Sequence, residues 1–181
     1  MVVVIVSGMP VTGSSSTAKM LAKRLGLRHF SAGDYFKSFS SAFGETEKAL
    51  DMLRQTKGNS REFHEALEEK VGEECSKGRV VIDAKLGIRM QKGNYDFSVW
   101  LKAPFSVRVE RVQERDQLKG EQAESALKEK ESLERKTWKR VYGFDYFDQE
   151  KEAGLVIDNS NLSKEQVVDR IVAGMKKRGI I

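Results

Sequence analysis

The sequence has a single cysteine, Cys75, so no disulfide can form within the chain. Its only histidines are His29 and His64, too few beside one thiol for a His/Cys metal site. No apolar run approaches the ~18 residues that a membrane span needs, and the run Met1 to Val6 lacks the basic flank and cleavage-type ending of a signal peptide. Repeats, low-complexity tracts and linker-like stretches are missing as well. These absences point to a soluble protein of the cytosol, one domain without membrane contact, in which Cys75 reads as a helical residue beside a core.

What is present fits that frame. A chain of 181 residues is long enough to bury a core unaided, and 39% hydrophobic with 33% charged residues is a globular balance. The net charge of +5 suits polyanions from ATP to RNA and does not choose among them.

Strand and helix patterns alternate along the chain, which predicts an α/β fold with a mainly parallel sheet. Strands are expected to start at Val2, Arg28, Arg79, Phe97 and Leu155. Ala18, Leu21, Ala22 and Leu25 make one helical stripe over Ser14 to Leu25, stopped by Gly26. After a turn at Ala32 and Gly33, the spacing of Phe36, Phe39 and Phe43 predicts three aromatics on one helical face, packed in a core. Two helices follow, one ended by Lys57-Gly58-Asn59, the other capped by Ser60 and stopped by Gly78. A helix from Phe105 to Asp116, a long charged helix or helix pair from Gln122 to about Tyr142, and a capped C-terminal helix complete the reading.

The stretch that carries chemistry is SGMPVTGSSST, residues 7 to 17. A buried-type strand runs into Gly8, Gly13 follows, and a helix begins. That is the frame GxxxxGK[ST], in which successive N–H groups and a helix N-terminus converge on phosphate oxygens. Ser14 stands where the frame has lysine. A strand-turn-helix connection whose serines merely cap the helix is the competing reading. If position 11 requires a positive φ, Val11 would sit there at a cost of about 1–3 kcal/mol or force a different loop path. Lys19 lies five residues beyond Ser14, rotated by roughly 140° on an ideal helix, and is expected to point away from the loop.

Beyond the loop, IVSGMPVTGSSSTAKMLAKRLGLRHFSAGDYFK, VVIDAKLGIRM, LKAPFSVRVERVQERD, YGFDYFD and LVIDNS together resemble the archaeal type of cytidylate kinase, collinearly over essentially the whole chain. The resemblance implies a three-layer P-loop NTPase fold: a five-stranded parallel sheet with helices on both faces, acceptor-binding helices inserted over 34–78, and a helical lid over 117–148. It implies transfer of the γ-phosphoryl group of ATP to CMP or dCMP with Mg2+ by a monomer whose partners are small nucleotides. Gly8, Met9, Pro10, Val11, Thr12, Gly13, Ser14, Ser15 and Ser16 would form the phosphate loop. Ser15 and Asp83 would hold the metal. Asp34, Lys37, Lys70, Asp83 and Lys85 would meet the acceptor. Arg108, Arg111 and Arg115 recur at three and four residues on one helical face, where a solvated stripe would look the same; the resemblance assigns them to the nucleotide. Asp83, Lys85, Lys130, Arg135 and Lys136 would serve transfer, the last three from a lid segment, 128–140, with six basic and three acidic residues.

This sequence departs from the family pattern at Val11 and Ala84 for glycines, Ser14 for lysine, lysines at 37, 85 and 130 for arginines, and Thr137 for a lid arginine. Lysine keeps the charge of arginine without its bidentate fork. A phosphotransferase with altered phosphate contacts, a catalytically impaired nucleotide-binding module acting as sensor or interaction surface, and RNA binding through the basic lid all stay open on sequence alone.

Overall fold

Valine- and isoleucine-rich runs buried on both faces become the strands of one sheet. The computed structural model describes residues 2–55 and 60–181. Strands β1 (Val3–Gly8), β2 (Arg28–Ser31), β3 (Val80–Asp83), β4 (Phe97–Lys102) and β5 (Leu155–Asp158) pair in parallel in the order β2-β3-β1-β4-β5. Strand alternation sends Val3 and Ile5 of β1 into one core and Val4 and Val6 into the other.

Helices α1 (Ser14–Leu25) and α8 (Lys164–Lys177) cover one face through Ala18, Leu21, Ala22, Val167, Val168, Ile171 and Met175. The other face is covered by α4 (Arg61–Ser76), the short α5 (Gly87–Met90), and a 3-10 helix, Tyr146–Glu152, together with Trp138 of α7 (Gly120–Tyr142). Cys75 is buried on α4 in this core, its thiol pushed up to about 11 by burial, with Glu68 and Glu74 adding to the rise. A third small cluster joins α6 (Phe105–Asp116) to α7 through Val112, Ala123 and Leu127.

Most boundaries fall where the sequence places them. Gly26 ends α1 in the left-handed region at φ 62, and Ser60 caps α4 by accepting from the Phe63 N–H at 3.2 Å. The long charged segment is one helix, α7, rather than a pair.

The aromatic stripe after Ala32 is a correction. Helix α2 spans only Ala32–Lys37, starting at the expected turn because the Ser31 hydroxyl accepts from the Asp34 N–H. Ser38 turns the chain by bonding back to the Tyr35 carbonyl, so the helical register does not reach position 43. Phe36 and Phe39 meet edge-on around Phe63, while Phe43 is 93% exposed. Helix α3 (Glu45–Arg54) ends as Gln55 becomes extended; the expected stop at Lys57-Gly58-Asn59 lies outside the described residues. Among the described residues no helix is long and apolar enough to cross a membrane.

Candidate active site

The loop from Gly8 to Ser14 lies at the carboxyl ends of β1, β3 and β4, where ligands of open α/β sheets bind. Its entry is tight. The Met9 N–H bonds the Leu101 carbonyl at 3.1 Å, and a Cβ on Gly8 would collide with that carbonyl and lie 2.8 Å from Thr12 Oγ1. Val11 sits at φ 61 and Gly13 at φ 80. Valine is thus held in the left-handed region, at a cost of about 1–3 kcal/mol, and the loop keeps a path that glycine would follow more easily. Gly13 is the N-cap of α1 and brings no side-chain cap, so the serines do not act as a plain helix cap; Ser14, Ser15 and Ser16 line the cavity.

Two side chains brace the loop from behind. Asn159 donates from Nδ2 to the Thr12 carbonyl at 2.7 Å and is itself held by Arg111, whose Nη1 and Nη2 reach Asn159 Oδ1 at 3.0 Å and its carbonyl at 2.8 Å. Arg108, 4% exposed, donates from Nη1 to the Pro10 carbonyl at 3.4 Å and to Glu131 Oε2 of α7 at 2.7 Å.

In front of the loop lies a cavity of about 990 Å³. Buried Asp83, at the end of β3, accepts from the Ser15 hydroxyl and, at 3.1 Å, from the Ser31 hydroxyl. This is a hard oxygen donor set, the kind Mg2+ takes when nucleotide phosphates and water supply the other ligands. Among the described residues no three His, Cys, Asp or Glu side chains gather to hold a metal by themselves, so an ion here would depend on a bound phosphate.

Cations line the same cavity. Lys37 pairs with Glu45 and, at 3.1 Å, with Asp34; burial pulls its pKa down, but the hydrogen bond and charge of Glu45 outweigh that and the net shift is upward. Lys85 reaches Glu134 Oε2 at 3.1 Å, and Glu134 also accepts from Tyr146 Oη at 3.0 Å. Arg115 makes two bonds to Asp116, at 3.0 and 2.9 Å, and a third to Thr46. Lys130 lines the cavity too, is 8% exposed, and makes no ion pair among the described residues. Burial pulls its ammonium down to about 8; Glu134 opposes the fall, while Lys85, Arg115 and Lys37 add to it.

The structure therefore brings Gly8, Met9, Val11, Thr12, Gly13, Ser14, Ser15, Ser16, Asp34, Lys37, Asp83, Lys85, Arg111, Arg115 and Lys130 to one cavity. Other expected residues are elsewhere. Pro10 is buried and contributes its carbonyl to Arg108. Arg108, Arg111 and Arg115 do not act as one stripe, because buried Arg108 is spent on the loop and α7. Lys70 pairs with Glu73 at 2.7 Å on the outside of α4. Arg135 turns to Asp145 and stacks 4.9 Å from the Phe147 ring, and Lys136 is exposed beside it. Lys19, expected to point away, lines the cavity on the β2 side, where its charge adds to the lowering of the His29 pKa that burial begins and Asp83 opposes.

Sequence reasoning missed Asn159, Glu134 and Glu68. Glu68 lines the cavity beside His64 and Leu67, and its Oε2 is buried without a hydrogen-bond partner. Burial raises its carboxyl to about 7, against a lowering by Gln91. Only the apolar pattern of α4 was legible, and a glutamate on its polar edge carries no sign of which way it points.

A parallel five-stranded sheet covered on both faces, with a strand-loop-helix cradle at its carboxyl edge, defines the P-loop α/β fold of small-molecule kinases. Shikimate kinase from Acinetobacter baumannii, solved in complex with shikimate, shares this fold at a TM-score of 0.66 and 14% identity, covering 100% of this chain and 96% of that one. The family model for the cytidylate kinase-like family matches residues 3–161, and the chain belongs to that family. A cytidylate kinase of Ignicoccus hospitalis is 33% identical over 94% of this chain and 97% of its own length. One from Methanocaldococcus jannaschii is 29% identical over 97% and 99%.

Proposed function

We propose that the protein is a nucleoside monophosphate kinase that moves the γ-phosphoryl group of ATP to CMP or dCMP. The observation that carries this reading is the Ser15–Asp83–Ser31 oxygen cluster set beside a phosphate-shaped loop, inside one cavity walled by Lys37, Lys85, Arg115 and Lys130. Such transfer asks for in-line positioning and charge neutralisation more than for covalent chemistry. At about 990 Å³ the cavity is at the upper end of the ~300–1,000 Å³ range of ligand sites, which suits two ligands end to end.

In this reading the N–H groups at the start of α1 bind the ATP phosphates. Ser15 and Asp83 would hold Mg2+, which when bound neutralises charge on the bridging phosphates. Lys37 and Lys85 face the acceptor phosphate, each poised by a carboxylate, Glu45 and Glu134. On the α3–α4 side, Phe36, Leu53 and Leu67 offer an apolar wall to a base, with Glu68 as a polar reader. The family membership and the named relatives support the same class of acceptor.

The test is ADP formation by the purified protein given ATP, Mg2+ and, in turn, CMP, dCMP, UMP and AMP. Turnover with CMP or dCMP is expected; folded protein that yields no ADP with any acceptor defeats the proposal. A second reading, a nucleotide-binding module without turnover, is favoured by the uncharged Ser14 and by the capture of Lys85 by Glu134. Its signature is saturable ATP binding in calorimetry with no ADP formed.

A further inference from the structure

The loop from Gly8 to Ser16 contains no basic residue, so the backbone N–H groups there meet a triphosphate without a side-chain cation of their own. Charge must come from another segment if phosphate binding is to be charge-assisted. Of the cations that line the cavity, Lys37 is paired with Asp34 and Glu45, Lys85 with Glu134 and Arg115 with Asp116, Arg111 is held by Asn159, and Lys19 and Lys164 are exposed. Lys130 is different. It is buried, it lines the cavity that holds Ser14, and it makes no ion pair among the described residues. Glu134 acts on it only through its charge, a carboxylate already bonded to Lys85 and Tyr146, and a buried ammonium without an ion pair of its own is unfavourable unless a ligand supplies the missing charge.

The turn of α7 that carries Lys130 is fastened to the loop on both sides. Three residues before it, Leu127 packs in the small cluster against which Val11 of the loop lies. One residue after it, Glu131 is tied through Arg108 to the Pro10 carbonyl. A glycine at position 11 would follow the same φ more easily but would have no side chain to place in that cluster. The strained valine and the missing lysine, two separate departures in the sequence, thus become parts of one arrangement.

We propose that Lys130 supplies from α7 the phosphate-binding cation that the loop lacks at Ser14, and that Val11 and Arg108 fasten α7 to the loop so that it can. This rests on the reading of the cavity as an ATP site. Lys130 is then a phosphate-binding residue, and Val11 and Arg108 are positioning residues.

The test is a double-mutant cycle on ATP affinity, read by calorimetry with folding checked by circular dichroism. Lys130→Met is expected to weaken ATP binding by at least about tenfold, the worth of one charged hydrogen bond, while Lys130→Arg keeps it within a few-fold. Ser14→Lys alone crowds two cations and lowers affinity; in the Lys130→Met background the same change restores it. That reversal of sign is something a merely structural Lys130 would not produce. Equal effects of Ser14→Lys in both backgrounds overturn the proposal, as does a folded Lys130→Met that binds ATP like the wild type. Wild-type protein that binds no ATP overturns the ATP site itself, an outcome separate from the other two.

Discussion

Lys130 and Glu68 are both ionisable groups buried at the cavity, and each leaves a mark on stability. For Lys130 the folded pKa, about 8, lies below the ordinary 10.5, so the unfolded chain binds the extra proton between those values. Stability therefore rises with pH through that window, and below it the folded state carries the whole cost of a buried charge, on the order of 3 kcal/mol. Lys130→Met is expected to raise stability at pH 7 by up to about that amount, measured by urea unfolding, while it weakens ATP binding; the two properties move in opposite directions. Glu68 runs the other way. Its folded pKa, about 7, lies above the ordinary 4.5, so the native state binds the extra proton and stability falls as pH rises between them. Burial is the larger cause of the rise, and the Gln91 hydrogen bond opposes it. Glu68→Gln should remove this slope, leaving the variant more stable than the wild type at pH 8 by up to about 3 kcal/mol and with little difference at pH 4.5. An unchanged difference at the two pH values would show that Glu68 does not titrate in the fold.

At the scale of elements, the strands were legible because a buried parallel strand writes itself as a short unbroken run of valine and isoleucine, and α1, α4 and α8 because apolar stripes end at glycine or start at serine, while α6 was legible from its periodicity after Pro104. The loop was legible as a frame, and the positive φ at Val11 was raised only as a condition, because the family resembled has glycine there; the structure meets it at φ 61. What failed was local periodicity carried past a break: counting Phe36, Phe39 and Phe43 as one stripe ignored the back-bonding of Ser38. The partners of Arg108, Asn159 and Glu134 were hidden for another reason. Each is fixed by residues from 12 to 147 positions away, and spacing within one element says nothing about such contacts. The same contacts make a prediction about α7. Val11→Gly should relieve the strained backbone yet loosen the helix, so that amide exchange quickens around residues 123–131 while β1 to β4 stay protected. Exchange that quickens equally in the strands would mean that the valine holds up the whole fold rather than one helix.

On the whole-molecule scale, the carboxyl edge of the sheet opens into a cavity lined by Lys37, Lys85, Arg115 and Lys130 together with carboxylates that pair with the first three. Helix α7 runs along α3 and α6 and closes one side of that cavity, so the cations and the phosphate loop belong to one packed body. The two tryptophans divide the same body between them. Trp100 is sealed in the core of the sheet, whereas Trp138 on α7 lines the cavity, its ring 5.9 Å from the Lys85 ammonium. Indole emission is sensitive to nearby charge, and a triphosphate drawn to Lys85 and Lys130 would change the field across Trp138 and leave Trp100 in the dark. Nucleotide titration should therefore shift the emission of the wild type and of Trp100→Phe, and not that of Trp138→Phe. The protein carries its own optical gauge of occupancy, one lamp at the site and one reference lamp in the core.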